Sequence, residues 1–350
     1  MAIKIYENFC LKEYNTFGLD VSCSKYIEYT ENEDIITFIK NNSDLFRGNF
    51  FILGNGSNVL FKEKHYDGVV IHPKTNDING LKVAAAVNFD NLIHEFISSA
   101  VCGLENLSGI PGCVAASVVQ NIGAYGSEVA EFIDNVEYID LQTAKICRID
   151  NHECEFSYRN SVFKNRLKNN ALILSVTFKK QNEYKANLSY AALFDEFNCD
   201  ADLHSLMNER ITHEVRLDKN KKLAFKLRDF ILDMRAKKIP DFHKFGNAGS
   251  FFKNPVISEQ KLEKIINKNP NIKYFQTEDN NIKLAAGWLI DNCGLKGYEH
   301  NGAAIADNNA LVLINKNNCS GKDIIALSTI VKQKIYEKFD VVLEEEVILV

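Results

Sequence analysis

The most informative segment for the fold is Phe51-Ile-Leu-Gly-Asn-Gly-Ser-Asn-Val-Leu60. Three apolar residues, typical of a buried strand, lead directly into the small polar residues Gly54–Asn58. Glycines let backbone N–H groups turn together into an anion-binding nest, and Ser57 and Asn58 add side-chain donors. The segment predicts a phosphate-binding loop after a strand. The Asn-Gly turn of a β-hairpin is the alternative that the same residues allow.

This loop differs from the two common nucleotide-binding fingerprints. It lacks the third glycine of the G-x-G-x-x-G motif, and the β-favouring residues Val59–Phe61 follow where that motif opens a helix. It is also not a P-loop. The segment alone therefore does not identify its ligand.

A second segment is unusually rich in small residues. It runs from Leu107 to Ser117 (LSGIPGCVAAS) and continues through Gln120–Gly126 (QNIGAYG). Such a composition lets the backbone approach a large ligand closely, and its hydroxyl and amide groups can satisfy the ring edge and pyrophosphate of a flavin. Tight packing of a loop is the alternative.

Composition limits the class of protein. With 350 residues, the chain is long enough for two or three domains, and its 46% apolar and 25% charged residues are those of an ordinary globular protein. A net charge of −5 with interspersed signs gives no footprint for nucleic acid. We find neither a signal peptide nor an apolar stretch of the ~20 residues that span a bilayer, so we expect a cytoplasmic protein without a membrane segment.

The cysteines and histidines do not indicate a metal site. The nine cysteines are scattered without a C-x-x-C pair, which fits neither a zinc site nor a disulfide framework. The eight histidines form no H-E-x-x-H pair. We expect reduced, mostly buried thiols and no protein-held metal.

Both small-residue segments resemble the FAD-binding half of the UDP-N-acetylenolpyruvoylglucosamine reductase (MurB) family, within the larger vanillyl-alcohol-oxidase-like group of flavoproteins. The resemblance continues in order through nearly the whole chain, and an ordered set of this kind is highly specific. The further matching segments are Asn15–Gly18 (NTFG), Tyr158–Phe163 (YRNSVF), Leu188–Tyr190 (LSY), Lys238–Asp241 (KIPD), Gly246–Pro255 (GNAGSFFKNP), Leu284–Asp291 (LAAGWLID) and Leu343–Val347 (LEEEV).

The resemblance implies an α+β fold with a two-part FAD-binding domain of the vanillyl-alcohol-oxidase/PCMH type and a C-terminal α+β substrate-binding domain. We place the FAD-binding parts at 1–70 and at 71–237 with 340–350, and the substrate domain at 238–339. Patterns in the residues predict a helix near Ile35–Ile39, an antiparallel sheet between Ile133 and Phe178, a long helix through Ile324–Ile335 and a final strand from Val341 to Leu349.

By the same resemblance the chain holds FAD without a covalent link and uses NADPH as reductant. The residues that the resemblance assigns to FAD are Gly54, Asn55, Gly56, Ser57, Asn58, Ser108, Gly109, Pro111, Gly112, Ser117, Asn121, Gly123, Ala124 and Tyr125.

Three residues are implied to be catalytic. Arg159 binds the enolpyruvyl carboxylate and stabilises enolate-like charge, a task that suits a planar guanidinium that stays protonated. Ser250 donates the proton to the carbon beside that carboxylate. Glu346 helps to polarise the substrate and supports the proton transfer. Without the family context, these residues read as a structural ion pair, a turn serine and an exposed acid on an edge strand.

Tyr190, Lys238 and Asn254 match positions that hold the UDP diphosphate and nearby groups of the substrate. Tyr190 also indicates the longer subtype, which closes a tyrosine-bearing loop over the substrate. One departure is the segment between about Asn198 and Leu223, which is longer than the resemblance leads us to expect.

The implied reaction is reduction of the enolpyruvyl group of UDP-N-acetylglucosamine enolpyruvate to UDP-N-acetylmuramate, a step in peptidoglycan synthesis. We expect the protein to be a monomer. The alternatives are a related flavin oxidase acting on a hydroxy acid or sugar, an inactive flavin-binding module, and a plain structural protein. Ser250 in its glycine-rich frame and Glu346 argue against the oxidase, and the presence of all three implied catalytic residues argues against loss of activity.

Overall fold

Short strands and helices alternate along the described part of the chain. The computed structural model describes residues 3–181, 183–197, 213–276 and 281–350. The helices are α1 (Asn32–Asn41), α2 (Phe89–Ser98), α3 (Val114–Gln120), α4 (Ala191–Phe197), α5 (His213–Lys238), α6 (Glu259–Ile266), α7 (Ala286–Asn292) and α8 (Gly321–Phe339).

The strands of the first half are β1 (Ile3–Cys10), β2 (Ser22–Tyr29), β3 (Phe50–Ile52), β4 (Val59–Leu60), β5 (His65–Pro73), β6 (Ile78–Asn79), β7 (Lys82–Ala84), β8 (Gly123–Ala124), β9 (Ser127–Glu128), β10 (Ile133–Asp140), β11 (Lys145–Asp150) and β12 (Ala171–Phe178). Those of the second half are β13 (Gly246–Ser250), β14 (Val256–Ile257), β15 (Tyr274–Gln276), β16 (Ile282–Leu284), β17 (Glu299–His300), β18 (Ala303–Ile305), β19 (Val312–Asn315) and β20 (Ile348–Leu349).

The chain divides into two units. Unit 1 comprises Met1–Glu7, Lys25–Asn55 and Asp67–Arg235, and unit 2 comprises Asn8–Ser24, Gly56–Tyr66 and Ala236–Val350. Both contain helices and mainly antiparallel sheets, so the expected α+β class is confirmed. The domain boundaries given above stay a prediction.

Unit 1 is built around a five-stranded sheet in the order β11-β10-β12-β7-β6. β10 pairs antiparallel with β11 and β12, which confirms the predicted sheet between Ile133 and Phe178. Its apolar face packs with α2 and α3 through fully buried side chains such as Val83, Leu92 and Val118. Helix α1, with Ile35 and Ile39 buried, confirms the predicted early helix.

The glycine loop of residues 54–58 follows a strand, as predicted. β3 pairs in parallel with β5, and one residue later the Leu53 N–H donates to the carbonyl of Ile71 at 2.8 Å. On the other side of the loop, β4 pairs in parallel with β20. Since β3 and β4 have different partners, the loop is not the turn of a β-hairpin.

Unit 2 contains a four-stranded antiparallel sheet in the order β13-β19-β18-β17 and the long helix α8. Ser320 caps α8 in a reciprocal capping box with Asp323. The predicted apolar stripe of this helix is confirmed, because Ile324, Leu327, Val331 and Ile335 are all buried. Val312 and Ile314 of β19, which neighbours β13, are buried in an apolar cluster, so the sheet that carries Ser250 belongs to a packed core.

The predicted final strand from Val341 to Leu349 is wrong in extent, since only Ile348–Leu349 forms a regular strand. The reason is a change of partner. The Glu346 N–H donates to the carbonyl of Phe251 at 2.8 Å, whereas two residues later the Ile348 N–H donates to the carbonyl of Asn58 at 3.0 Å. A segment that changes its neighbour in this way cannot continue one ladder, although Val341, Leu343 and Val347 on one face of it are buried.

Candidate functional site

The first glycine loop is held by the Asn-Thr-Phe-Gly segment near the N-terminus. Gly56 has φ +65°, and a Cβ atom there would lie 2.0 Å from the carbonyl oxygen of Tyr14, so only glycine fits. The carbonyl of Gly56 accepts hydrogen bonds from the N–H of Thr16 at 3.1 Å and from its hydroxyl at 3.3 Å. Thr16 is thus a supporting residue to which the sequence analysis assigned no role.

The same loop is tied to the C-terminal segment. The side-chain amide of Asn58 donates to the carbonyl of Glu346 at 3.2 Å. Together with the bond from Ile348 to the carbonyl of Asn58, this contact places the backbone of Glu346 beside one implied FAD residue, 288 positions away in sequence.

The second small-residue segment contains a buried hydroxyl that needs a partner. Ser108 is 0% exposed, and its Oγ has no hydrogen-bond partner among the described residues. An unpaired buried hydroxyl is costly, and bound ligands commonly satisfy such groups. Polar atoms of FAD would do so here. The donors and small residues of this segment therefore fit the cofactor that the sequence implies.

Asn121 and Ser117 of the implied FAD set use their side chains for hydrogen bonds within the protein. The buried Asn121 donates to the carboxylate of Glu128 at 2.7 Å and to the carbonyl of Ser157 at 3.0 Å, and it accepts from the N–H of Ala130. Ser117 donates to the carbonyl of Val114 at 2.6 Å. These side chains shape the loop, so we assign any contact of theirs with FAD to the backbone.

Arg159 lies at the tip of a tight turn. Ser157 and Asn160 exchange backbone hydrogen bonds around Tyr158 and Arg159, and Arg159 has φ +55°, in the sparsely populated left-handed region. Its guanidinium donates to the carbonyl of Gly123 at 2.8 Å and lies 5.2 Å from the centroid of the Tyr158 ring. A residue held in this region at such a turn is a candidate for function.

Lys164 supports this turn. Its ammonium donates to the carbonyl of Arg159 at 3.0 Å and to the side-chain oxygen of the buried Gln120 at 2.8 Å. Lys164 thus joins the Arg159 turn to the end of α3. No role for Lys164 was predicted, and its only local signal in the sequence is its position directly after the matching segment Tyr158–Phe163.

A β-bulge presents Ser250. Asn247 pairs with Ile314 and Ser250 with Val312, so β13 has one more residue than β19 between these pairs. Asn247 secures the bulge, because its side chain accepts from the N–H of Gly249 at 3.0 Å and donates to the carbonyls of Pro240 and Phe245. Bulges of this kind re-aim a side chain. Ser250 is therefore the end of a bulged strand and not a simple turn serine.

The glutamates of the C-terminal segment have separate surroundings. Glu344 pairs with Lys253 at 3.1 Å, and Glu345 pairs with Lys332 at 2.6 Å. Burial would raise the pKa of Glu345, but the bonds from Lys332 and Ser328 outweigh it and hold the pKa below its usual value. Glu346 follows, with its N–H bonded to the carbonyl of Phe251. Within unit 2 the backbone of Glu346 is therefore next to that of Ser250.

The implied substrate residues are spread over both units. In unit 1, Tyr190 precedes α4, and its ring meets that of Tyr125 edge-on at 5.2 Å between centroids. In unit 2, Lys238 ends α5 and is exposed, and the side-chain oxygen of Asn254 accepts from the N–H of Ala286 at 2.9 Å at the start of α7. The segment noted as long lies partly outside the described residues, at 198–212.

In the described ranges, no group of three or more His, Cys, Asp or Glu side chains is arranged to hold a metal ion. None of the described helices combines the length and the apolar character needed to cross a bilayer. The eight described cysteines are unbridged, and five of them are buried.

Two family models match parts of the chain. Residues 241–350 match the family model described as UDP-N-acetylenolpyruvoylglucosamine reductase, C-terminal domain, and residues 25–150 match the FAD binding domain model. A protein of Salmonella choleraesuis named UDP-N-acetylenolpyruvoylglucosamine reductase is 39% identical over 96% of this chain and 94% of its own length. The chain belongs to the UDP-N-acetylenolpyruvoylglucosamine reductase family.

Other members agree along the whole length. The reductase of Shewanella sediminis is 38% identical over 99% of this chain and 96% of its own. The crystal structure of UDP-N-acetylenolpyruvylglucosamine reductase (MurB) from Thermus caldophilus superposes with a TM-score of 0.67 over 99% of this chain and 98% of that one. At 20% identity this second likeness shows the fold, and it confirms the fold expected from the resemblance.

Membership of the reductase family confirms the recognition made from the motifs, and the matched FAD binding domain covers both glycine-rich segments. The roles of single residues stay predictions. The structure brings Ser250 and Glu346 together through the backbone of Phe251, and it links Arg159 to Gly123 of the implied FAD set.

Proposed function

We propose that this chain is a cytoplasmic FAD enzyme that uses NADPH to reduce the enolpyruvyl group of UDP-N-acetylglucosamine enolpyruvate, giving UDP-N-acetylmuramate for peptidoglycan. One observation carries the proposal, namely 39% identity over 96% of the chain to a protein named for this reaction. Ser250 and Glu346 also lie within residues 241–350, which match the C-terminal domain model of the same family. We further propose that it acts as a monomer and needs neither nucleic acid nor a membrane.

When bound, FAD would supply the hydride-transfer chemistry between NADPH and the methylene carbon of the enolpyruvyl group. The residues proposed to hold it are those of the two glycine-rich segments, with the buried hydroxyl of Ser108 supporting this assignment. The loop of Gly56, held by Thr16, offers backbone N–H groups suited to a pyrophosphate.

The protein's own residues stabilise the negative charge that develops on the substrate and supply the proton. The guanidinium of Arg159 binds the carboxylate of the substrate and stabilises the negative charge that develops on it, since a fixed cation needs little reorganisation. The Ser250 hydroxyl donates its proton to the carbon beside the carboxylate. Glu346 polarises the substrate and supports this transfer. One hydride and one proton thus saturate the double bond, and NADPH becomes NADP⁺.

The deciding experiment is an anaerobic absorbance trace of the purified protein. NADPH should bleach the flavin, and subsequent addition of the enolpyruvyl sugar should restore its absorbance with formation of UDP-N-acetylmuramate. Restoration by oxygen alone, with no response to the sugar, would instead identify an oxidase. Absence of any flavin response would identify an inactive module.

We expect the purified protein to be yellow and to release its flavin on acid precipitation, because we propose that the glycine-rich segments hold FAD without a covalent link. The supernatant should contain intact FAD, which chromatography distinguishes from FMN. Flavin that stays with the pellet would contradict non-covalent binding. A colourless protein that cannot be reconstituted with FAD would end the reductase proposal.

We expect Tyr190→Phe and Lys238→Ala each to raise KM for the sugar by about tenfold with a small change in kcat, because a hydrogen bond or charge at the diphosphate end acts equally in ground and transition states. The matched controls are Tyr336→Phe on α8 and Lys40→Ala on α1, which lie on exposed helix faces. Stopped-flow reduction of the flavin by NADPH should stay unchanged. Equal damage to reduction by NADPH and to use of the sugar would show that the assignment is wrong.

A further inference from the structure

Helices α2 and α5 hold one glycine of the second FAD segment from two sides, and the contact with α5 extends to the implied substrate loop. Every residue of this arrangement lies in unit 1. It begins at Gly109, whose N–H donates to the carboxylate of Asp90 at 2.6 Å and whose carbonyl accepts from Nε of Arg235 at 3.0 Å.

Asp90 is itself fixed by the helix. Arg228 of α5 donates to both carboxylate oxygens of Asp90, at 2.5 and 2.7 Å, and the Arg228 side chain is only 8% exposed. Burial would raise the pKa of Asp90, but the bonds from Arg228 and from the Gly109 N–H outweigh it and hold that pKa below its usual value. A paired, two-pronged contact of this kind sets geometry as well as energy.

The close approach of helix and loop depends on glycine. Gly109 has φ +71°, and a Cβ atom there would lie 2.7 Å from Leu232 and 3.1 Å from Cδ of Arg235. Arg228, Leu232 and Arg235 are spaced by four and three residues, so they occupy one face of α5. That face is therefore shaped to receive the loop.

The contact continues towards the substrate loop. The guanidinium of Arg235 also donates to the hydroxyl of Tyr125, and the ring of Tyr125 meets that of Tyr190 edge-on at 5.2 Å. Asn106 adds a backbone link, since its side chain donates to the carbonyls of Tyr125 and Asn187, both at 2.9 Å.

We propose that Arg235 is a positioning residue that couples the FAD loop at Gly109 to the tyrosine pair of the substrate loop, while Asp90 and Arg228 fix the FAD loop alone. The coupling to the sugar rests on the proposed function, whereas the effect on FAD does not. Arg235 suits this role because a guanidinium can bond the carbonyl of Gly109 and the hydroxyl of Tyr125 at once.

The first test is the affinity of the apoprotein for FAD, followed by flavin fluorescence. Arg235→Met should raise Kd for FAD by roughly tenfold to a hundredfold, as expected for losing a hydrogen bond from a charged group. Arg216→Met, at an exposed position of the same helix, should leave Kd unchanged. Asp90→Asn combined with Arg228→Gln removes both charges together, which avoids stranding a buried ion, and should also raise Kd.

The second test distinguishes a positioning role of Arg235 towards the substrate loop from a general loss of order in the FAD loop. At saturating FAD, Arg235→Met and Tyr125→Phe should raise KM for the enolpyruvyl sugar by similar factors, and the double variant should be no worse than either, because both break one connection. The Asp90→Asn/Arg228→Gln variant should keep the normal KM. Arg235→Lys, with one nitrogen in place of the planar fork, should recover only part of the loss.

Each outcome bears on a definite claim. The coupling would be overturned if the increases in KM caused by Arg235→Met and Tyr125→Phe multiplied in the double variant. It would also be overturned if Arg235→Met had the same Kd for FAD as the Arg216→Met control. Since FAD affinity is measured without the sugar, weakened FAD binding together with a failed reductase assay would refute the proposed function and still support the role of Arg235 at the FAD loop.

Discussion

Replacing Ser250 by alanine is expected to leave reduction of the flavin by NADPH at its normal rate and to slow its reoxidation by the enolpyruvyl sugar by about a hundredfold to ten-thousandfold. This is the contribution typical of general acid catalysis, or roughly 3 to 5 kcal/mol of barrier. The two steps separate because the proton is needed only once the hydride has reached the substrate. A double-mixing anaerobic stopped-flow experiment that follows flavin absorbance measures both steps.

The structure predicts that Ser250→Ala removes the hydroxyl without disturbing the local fold. Ser250 ends a bulged strand whose geometry is secured by the side chain of Asn247, so removal of the Ser250 hydroxyl leaves the bulge intact. FAD content and unfolding temperature should stay normal. Ser99→Ala, at an exposed helix end, is the matched control. If Ser250→Ala reoxidises with the sugar as fast as the unaltered protein, Ser250 is not the proton donor and its bulge is only a packing feature.

Replacing Arg159 by methionine is expected to slow the sugar-dependent step by about a hundredfold to a thousandfold, the usual loss when one group that stabilises developing negative charge is removed. Arg159→Lys should recover part of the rate, because lysine keeps the charge but cannot form the planar, two-pronged contact with a carboxylate. The measurement is the rate of flavin reoxidation at increasing sugar concentration.

Arg166→Met is the matched control for this experiment. Arg166 lies seven residues further along the chain, is 62% exposed, and pairs at the surface with Glu155. Its removal should change neither step, since exposed ion pairs contribute little. An Arg159→Met protein with normal reoxidation would contradict the assignment. A protein that no longer holds FAD would instead show that the bond from Arg159 to the carbonyl of Gly123 has a structural role.

Much of the fold was open to sequence reasoning because its signals are local. The apolar stripe of α8 repeats within one helix, and the β10–β11 hairpin is set by alternation around a short turn. The small residues of 54–58 and 107–126 likewise indicate that the backbone approaches a ligand closely. The error at the C-terminal strand has the opposite cause, because alternation reveals which side chains are buried but not which neighbour supplies the hydrogen bonds.

By itself, the sequence determined the family, the expectation of FAD and the identity of the candidate residues, since ordered motifs record residue types whatever their surroundings. Only the tertiary structure shows which residues hold these candidate residues in place. Lys164 holds the Arg159 turn, Asn58 holds the backbone of Glu346, and Arg235 holds Gly109 from 126 positions away. Hydrogen bonds over such separations arise from the packing of whole helices and strands. The residues that make them show no local sequence pattern, so they could not be predicted from the sequence.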